Sequence, residues 1–402
     1  MSISNAELEV RERRRERRRS FLIFFSIVLA VYGSINYYLC VRLEQCIPSD
    51  SWFHFVFLPL FLLVAISTLV GQYLETTHSS LLSDSLTWIG SFWLGIMSWY
   101  FLAAVLIDLV RLLDYGLGFL PAAWYVHAAE TKEWVAGIAS VVIFASMILG
   151  FINARRTRVR PLTISIDKAG TPMKIAAISD MHMGTLVGRG MVRQFVAKIN
   201  ALKPDLVLMI GDQVDGNVHP VMQLDLGSEL KKIESKYGVY AITGNHEYIG
   251  NVETACAYLE AHGIRMLRDE CADVAGIYLV GREDRAAKQF AHYERKPLAE
   301  LVEPLDKSKP IILMDHTPFH LEEAEQHGID LQLSGHTHHA QIWPFNFITK
   351  AVYEVSWGYK RKGATHVYVS CGSGTWGPPI RIGNRPEIMA ITMEFSSKQM
   401  SE

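Results

Sequence analysis

Four apolar runs in the first half of the chain constrain its fold more than any other feature of the sequence. They cover residues 21–41, 52–71, 88–110 and 134–153. At about 1.5 Å of rise per residue, a helix of about 20 residues is about 30 Å long, which matches the hydrocarbon core of a bilayer. Tryptophan and tyrosine crowd the ends of the runs, as they do at membrane interfaces. We therefore predict four transmembrane helices rather than the buried helices of a large soluble core.

Arginine-rich segments flank this region on both sides. Arginines crowd residues 11–19 and recur between residues 155 and 160. Because positively charged residues favour the cytoplasmic side, both flanks are predicted to be cytoplasmic, which requires an even number of crossings. Residues 1–20 would form a basic cytoplasmic N-terminus and residues 154–161 a basic linker. We expect a multi-pass protein of the cytoplasmic (inner) membrane. A nucleic-acid-binding role is a poorer account, since the net charge is −2.

The four runs contain little chemistry of their own. His54 and Asp108 are their only imidazole and carboxyl groups. Ionisable residues inside a membrane often mark a transport pathway. Two isolated residues near helix ends do not form a relay, so we favour an anchor over the alternative of a four-helix transporter with a regulatory domain.

From about Pro161 onward, short apolar segments typical of strands alternate with helical patterns. The predicted strands are residues 163–167, 174–179, 206–210, 239–243, 277–280, 311–314 and 331–333, and the clearest helices are residues 190–202 and 252–262. Strands that alternate with helices indicate an α/β architecture.

Polar motifs follow five of these strands at the point where each strand ends. They are Asp180-Met-His182, Gly211-Asp212-Gln-Val-Asp215, Gly244-Asn245-His246-Glu247, Asp315-His316 and Gly335-His336-Thr-His338. The carboxyl ends of strands are where α/β sheets gather ligand sites. Carboxylate, imidazole and amide oxygen bind divalent transition metals, and the lack of thiolates disfavours a structural zinc site. Two adjacent metals would need one shared carboxylate, because neighbouring cations repel each other.

The order of these motifs resembles that of the calcineurin-like metallophosphoesterase superfamily, over roughly residues 162–393. The four-helix prefix resembles a bacterial membrane-bound subgroup. The resemblance implies an α/β fold for residues 162–402, with two β-sheets packed face to face as a sandwich and flanked by helices. It also implies two divalent metal ions, such as manganese, zinc or iron, at the carboxyl-end rim of the sheets.

Carried over by position, the resemblance assigns a role to each motif. The implied ligands form two sets joined by one bridging carboxylate: Asp180, His182 and His338 for the first metal, Asn245, His316 and His336 for the second, and Asp212 for both. His246 would be a non-ligand histidine that protonates the leaving oxygen or stabilises the phosphoryl charge, and Asp215 would orient it. The implied reaction is hydrolysis of a phosphoester or phosphodiester by metal-activated hydroxide, without a covalent phospho-enzyme.

Candidate substrate contacts rest on thinner patterns. They are Arg282, Arg285, His339, Trp376 and Arg381. The basic stretch 281–296 is either a lid that reads a phosphate or an ordinary solvated helix. Trp376 either contacts a base or acyl chain or plugs its own loop onto the core. His339, where many relatives carry glycine, either narrows the pocket or faces solvent.

A catalytic domain held at the cytoplasmic face of a membrane favours a lipid-linked or nucleotide substrate. The expected partners are therefore the lipid bilayer and a phosphoester of phospholipid-like type, with no specific nucleic acid. The alternative is a membrane sensor that uses the domain as a ligand-binding module. Hydrolysis is favoured because no metal ligand of the motif set is missing.

Overall fold

The computed structural model describes residues 5–77 and 80–396, with side chains described for residue 23 and for residues 26–75 and 80–396. The arginine side chains of the predicted N-terminal basic segment lie outside the described residues. Five helices cover the N-terminal region: α1 (Asn5–Glu44), α2 (His54–Thr77), α3 (Leu81–Leu117), α4 (Ala123–Val126) and α5 (Ala128–Ala154).

Three of the predicted apolar runs each lie within one long helix, and the run 52–71 begins two residues before α2. Among the described residues, four segments are long and apolar enough to cross a membrane: Ser26–Glu44, His54–Glu75, Leu81–Leu117 and Ala128–Ala154. The helices extend beyond the runs, and α1 begins at Asn5 instead of residue 21. Residues 5–20 continue the helix because Glu and Arg are strong helix formers.

The chain forms two units, the first made of the described residues up to Ser67 together with Trp93–Ala145. In this unit the ring of Trp93 packs edge-on against Phe61, with centroids 5.2 Å apart, and its indole N–H donates to Asn36 Oδ1 at 2.9 Å. Asp108 forms an ion pair with Arg42 and accepts a hydrogen bond from a tyrosine. Asp108 is therefore paired locally within this unit.

The second unit comprises Thr68–Phe92 and Ser146–Glu402 and contains all the strands of the described chain. The strands are β1 (Arg158–Ile166), β2 (Met173–Ile178), β3 (Leu206–Ile210), β4 (Val239–Ile242), β5 (Ile264–Met266), β6 (Glu270–Val274), β7 (Ile277–Gly281), β8 (Ile311–Met314), β9 (Leu331–Ser334), β10 (Gly358–Lys362), β11 (Thr365–Val369) and β12 (Glu387–Phe395). The helices are α6 (Arg189–Ala201), α7 (His219–Gln223), α8 (Gly227–Leu230), α9 (Asn245–Ile249), α10 (Val252–Ala261), α11 (Ala286–Phe290), α12 (Leu298–Val302), α13 (Leu321–Gln326) and α14 (Asn346–Val352).

These strands form two mixed six-stranded sheets, with the orders β1-β12-β2-β3-β4-β5 and β10-β11-β9-β8-β7-β6. One apolar core joins the facing surfaces, where Ile175 and Leu208 of the first sheet and Leu279 and Leu333 of the second are buried. Strands buried on both faces appear in the sequence as continuous apolar runs, as in β3. The predicted two-sheet sandwich is therefore confirmed.

Helices cover the outer faces of both sheets. Helix α6 buries Val192, Phe195, Val196 and Ile199 in the core behind the first sheet. Helices α12 and α13 contribute to a separate apolar cluster behind the second sheet. Their amphipathic patterns explain why each helix lies on a sheet with its polar face outward.

Two ends of the long N-terminal helices belong to this same unit. Near the end of α5, Asn153 Nδ2 donates to the carbonyl oxygens of Arg381 at 2.8 Å and Asn384 at 2.7 Å. Near the end of α2, the carbonyl of Glu75 accepts a hydrogen bond from Asn217 Nδ2 at 2.8 Å. Asn217 follows the β3 motif by two residues, so this helix end lies beside the polar rim of the sheets.

Candidate metal centre

The five motif-bearing strands bring their carboxyl ends to one rim. Strands β2, β3 and β4 are parallel neighbours in the first sheet, and β8 and β9 are parallel neighbours in the second. Two glycines allow the loops to approach each other closely. A side chain at Gly211 would meet the ring of His316 at 2.4 Å, and one at Gly335 would meet Asp180 Oδ2 at 2.4 Å. Both positions therefore need glycine for steric reasons.

The first candidate ligand group contains Asp180, His182 and His338, whose ligand atoms lie within 4.8 Å of one another. The Nε2 atoms of the two histidines are 2.9 Å apart, and His338 Nε2 is 3.4 Å from Asp180 Oδ1. Burial, together with the neighbouring His182 and Arg381, holds the pKa of His338 well below its usual range. This imidazole is therefore neutral and keeps a lone pair for a cation.

The second group contains Asp212, His316 and His336, again within 4.8 Å. Nδ1 of His316 is 2.7 Å from the carbonyl oxygen of Ile210, so Nδ1 carries the proton and donates it. Its other nitrogen, Nε2, faces Asp212 Oδ2 at 3.1 Å. Asn245 joins this group, because its Oδ1 lies 2.8 Å from Nδ1 of His336.

Asp212 lies between the two groups. Its Oδ2 atom is 3.1 Å from Nε2 of His316 in the second group and 3.8 Å from Nε2 of His182 in the first. Its Oδ1 atom accepts the backbone N–H of His246 at 2.8 Å. The carboxylate is thereby held by the loop after β4 while its other oxygen points to histidines of both groups.

Asp215 contacts two histidines at once. Its Oδ1 atom lies 3.1 Å from Nδ1 of His182 and 3.1 Å from Nδ1 of His246. Both Nδ1 atoms therefore donate to the carboxylate, which leaves Nε2 of each ring for other partners. Burial alone would lower the pKa of His246, but the carboxylates of Asp212 and Asp215 outweigh burial and raise it to about 9.

A divalent metal ion fits these donors. Nε2 of His316 is buried and makes no hydrogen bond within the described chain, although an acceptor carboxylate lies beside it. Two further pairs of candidate ligand atoms, His182 with His338 and His336 with Asn245, converge to within 3 Å. Carboxylate, imidazole and amide oxygens that converge in this way match the preferences of divalent transition metals.

Comparisons with known proteins agree with this chemistry. The profile of the calcineurin-like phosphoesterase family matches residues 173–340. An uncharacterized metallophosphoesterase of Aquifex aeolicus is 31% identical over 261 residues, which cover 63% of this chain and 98% of that protein. This chain belongs to the calcineurin-like metallophosphoesterase family.

Other relatives of this metallophosphoesterase extend the comparison. An uncharacterized metallophosphoesterase of Helicobacter pylori (strain J99) is 36% identical over 240 residues, which cover 59% of this chain and 64% of that protein. The chain thus spans less than two thirds of that relative's length. A Danio rerio protein named "Transmembrane protein with metallophosphoesterase domain" is 28% identical over 325 residues, which cover 75% of this chain and 74% of that protein.

The metallophosphoesterase site has a supporting residue that the sequence analysis did not single out. Glu247 is fully buried, and its carboxylate accepts the backbone N–H groups of Asp212 at 3.1 Å, Val214 at 2.9 Å and Gly244 at 2.7 Å. It therefore ties the loop after β3 to the loop after β4. The signal was present, since Glu247 is the fourth residue of the Gly-Asn-His-Glu motif.

Three of the predicted substrate contacts are buried instead. Arg381 is 0% exposed, donates to the carbonyl oxygens of Cys371 and Gly374, and lies with Nη2 3.3 Å from Nδ1 of His338. The N–H groups of its guanidinium are used by these contacts in the interior, so Arg381 supports the site and cannot reach a substrate. His339 is also buried, with Nδ1 3.0 Å from Ser356 Oγ, so it neither faces solvent nor lines an opening.

The third buried residue, Arg282, belongs to the basic stretch 281–296. Its guanidinium lies 3.3 Å from Asp315 and 3.0 Å from Glu323, so its charge is already neutralised. Arg295 also pairs with Asp315, at 2.7 Å. Arg282 and Arg295 thus pin the stretch to Asp315 in the loop after β8, while most of residues 288–294 between them are exposed, so the stretch is not a free lid.

Trp376 and Arg285 remain at the surface near the site. Trp376 is 56% exposed, and its ring lies 5.9 Å from that of His246 in an edge-on arrangement. It therefore borders the site and does not plug its loop onto the core. Arg285 is half-buried, with its guanidinium 5.6 Å from the ring of Phe319. That ring stacks on Tyr353 at 4.8 Å, beside the second ligand group.

Proposed function

We propose that this chain is a membrane-anchored phosphoesterase that uses two divalent metal ions to hydrolyse a phosphoester or phosphodiester. The observation that carries this proposal is the position of Asp212, whose Oδ2 faces His182 on one side and His316 on the other. A carboxylate shared by two ligand groups is what a pair of adjacent cations requires.

The residues that would hold the metals follow from the two groups. The first metal would be held by Asp180, His182, His338 and Asp212, and the second by Asn245, His316, His336 and Asp212. When bound, such metals supply Lewis-acid activation of a water nucleophile and stabilise the negative charge that develops at phosphorus. Asp215 and the carbonyl of Ile210 fix the protonated nitrogens of His182 and His316, so that Nε2 of each ring is presented to a cation.

His246 is proposed to deliver a proton to the leaving oxygen. Its Nδ1 donates to Asp215, and the carboxylates of Asp212 and Asp215 raise its pKa to about 9 in the metal-free protein, which favours the protonated ring. The second nitrogen, Nε2, then carries a proton available to a substrate. Its ligand atom also lies within 4.8 Å of those of His182 and Asp212, so the geometry is equally compatible with metal ligation. The variant His246→Ala separates the two roles.

The proposed location is the inner membrane, with both termini and the catalytic domain cytoplasmic. Support comes from four helices long enough to cross a bilayer and from the arginines that flank them in sequence. The name of the Danio rerio relative, which includes the word transmembrane, points the same way.

The substrate is proposed to be lipid-linked, with a nucleotide as the second candidate. Two observations favour a lipid. Trp376, beside His246, offers an exposed aromatic surface at the site. The end of α2 contacts Asn217, two residues from Asp215, so a helix of the membrane region reaches the rim of the site. An acyl chain could leave the bilayer along such a surface without crossing bulk water.

The test is hydrolysis by the full-length protein in detergent, supplied in turn with manganese, zinc and iron. The substrates would be aryl phosphate monoesters and diesters, phospholipids and nucleotides, with phosphate or alcohol release as the readout. We expect Asp212→Asn to reduce turnover by about three or more orders of magnitude and to lower the metal content, since metal activation supplies several kcal/mol. If wild-type protein binds two metals but hydrolyses none of these compounds, the enzyme assignment is wrong and the sensor alternative gains support.

A further inference from the structure

A cavity of about 590 Å³ lies at the end of helix α5, away from the candidate metal ligands. Polar residues from two distant parts of the sequence line it: Asn153, Arg156 and Arg158 from the end of α5 and the residues after it, and Asn384 and Arg385 from the loop before β12. Arg156 and Arg385 are exposed, and Arg158 is half-buried. Three arginines therefore meet at one opening. They come from the segment that follows α5 and from the loop before β12.

No described acidic side chain neutralises the positive charge of this cavity. Arg156, Arg158 and Arg385 form no ion pair within the part of the chain whose side chains are described. Nε of Arg158 is buried without a hydrogen-bond partner, and its guanidinium lies 5.8 Å from the ring of Trp357. Glu387 is the acidic residue nearest to Arg385 in sequence. Its carboxylate lies 3.9 Å from Arg160 and accepts hydrogen bonds from Trp357 and Tyr368. An uncompensated arginine cluster attracts an anion, and the guanidinium fork matches the oxygens of a phosphate.

Apolar residues on the same helix extend the cavity toward a lipid-like environment. Leu149 and Ile152 line it and are 67% and 40% exposed, at the end of a helix that is long and apolar enough to span a bilayer. Trp343, a residue type common at membrane interfaces, borders the lining residue Gly383, where an added Cβ would lie 3.2 Å from the Cβ of Trp343. A soluble phosphate would contact only the arginines, whereas a phospholipid would contact the arginines with its head group and the apolar residues with its acyl chains.

We propose that this cavity binds an anionic phospholipid, with its phosphate on Arg156, Arg158 and Arg385 and its acyl chains along Leu149 and Ile152. Basic pockets beside the ends of membrane helices bind such head groups in general. The site is separate from the metal centre, and the proposal does not depend on the reaction that the centre catalyses.

The bound lipid would act next to a residue that supports the metal centre. Arg381 lines the cavity with its backbone, where its N–H donates to the carbonyl of Gly150 at 2.9 Å and its carbonyl accepts from Asn153. Its side chain extends inward to His338. A lipid that holds the end of α5 against this loop would therefore stabilise the position of Arg381.

The experiment measures lipid binding by the full-length protein, delipidated in dodecyl maltoside and titrated with phosphatidylglycerol or phosphatidylcholine. Native mass spectrometry counts the lipids that stay bound. We expect phosphatidylglycerol to bind more tightly, and the double variant Arg156→Gln/Arg385→Gln to weaken that binding by about 10- to 30-fold, at roughly 1 kcal/mol per arginine. Arg265→Gln/Arg361→Gln, at two exposed arginines elsewhere in the second unit, is the matched control and should bind as the wild type does.

Three results would overturn the proposal. Equal binding of the two lipids would exclude recognition of the negative head group. Unchanged binding by Arg156→Gln/Arg385→Gln would place any anionic-lipid site elsewhere. Displacement by inorganic phosphate, with no contribution from acyl chains, would assign the cavity to a soluble anion. The variants keep both arginines of the folded strand β1, so loss of the fold is not the expected cause of weaker binding, and unchanged metal content would verify this.

Discussion

Nδ1 of His246 lies 3.1 Å from Oδ1 of Asp215, although the two residues come from loops after different strands. The same oxygen lies 3.1 Å from Nδ1 of His182. A single carboxylate atom therefore orients both the proposed proton donor and a proposed metal ligand. This arrangement makes the consequences of mutating each partner distinguishable.

His246→Ala should leave the metal content close to that of the wild type and lower turnover by about 10²–10⁴, the usual range for a positioned acid. The loss should be smaller for aryl esters, because a good leaving group departs without a proton. Metal analysis and turnover on a series of leaving groups measure both effects. If the variant loses a metal, or slows every ester equally, His246 is a ligand or an electrostatic stabiliser.

Asp215→Asn should combine two defects, because its carboxylate serves both rings. An amide at this position no longer fixes Nδ1 of His182 as a donor, so we expect metal affinity to fall by about 10- to 100-fold, as for other partners of metal-ligating histidines. At saturating metal a smaller loss of turnover should remain, with the leaving-group dependence seen for His246→Ala. Titration of metal against activity separates the two. Full activity at every metal concentration would argue that Asp215 supports neither ring.

Metal binding should strengthen as the pH rises. Burial alone would lower the pKa of His316, but the carboxylates of Asp212 and Asp180 outweigh burial and raise it well above its usual value in the metal-free protein. A proton then occupies the ring that a cation needs, and binding must release it, whereas His338 is already neutral. Calorimetry in buffers of different ionisation enthalpy, from about pH 6 to about pH 8, should detect about one released proton. Affinity independent of pH over this range would contradict the assignment of His316.

Reporters fused after Ser20 and after Pro161 should both read cytoplasmic, because arginines flank the helices on both sides. Cys46, a free thiol beyond the end of α1, should then be labelled from outside by an impermeant reagent. Burial raises its pKa, so labelling needs mildly alkaline buffer. Cys256 is the internal control, since burial raises its pKa to about 12 and removes its reactivity. An external reading at either fusion would exclude four crossings with this orientation.

Local patterns were sufficient to predict an α/β architecture, because buried strands such as Leu206–Ile210 carry their own apolar signal. The two-sheet sandwich followed only from the family resemblance that the motif order carries. Local patterns were not sufficient for the full sheet order. Strand β12 pairs with β1 and β2, more than 200 residues away in sequence, and such pairing has no local signature. Strands β5, β6, β10 and β11 were also missed, since each mixes polar and apolar residues over only three to five positions, which gives neither a continuous apolar run nor a readable alternation.

In the site, the motifs predicted which polar residues the fold brings together. They did not predict whether the arginine side chains point toward the substrate or into the protein interior. An arginine in a loop rich in glycine and proline, as Arg381 is, carries no sign that its guanidinium turns inward. Its burial depends on backbone carbonyls at Cys371 and Gly374, which no side-chain pattern reveals. Glu247 was missed for the related reason that its partners are backbone N–H groups.

The hydrogen bonds from Asn153 to the carbonyls of Arg381 and Asn384 have a practical consequence for anyone who wants a water-soluble fragment. A cut after Ala154 would look natural, because it removes every apolar helix and keeps every strand. It would also strip two buried acceptors of their donor and free the loop whose arginine contacts His338. Low metal content in such a fragment would then report on the cut and not on the enzyme. A fragment that begins before Gly150, with its few exposed apolar residues made polar, should preserve that loop.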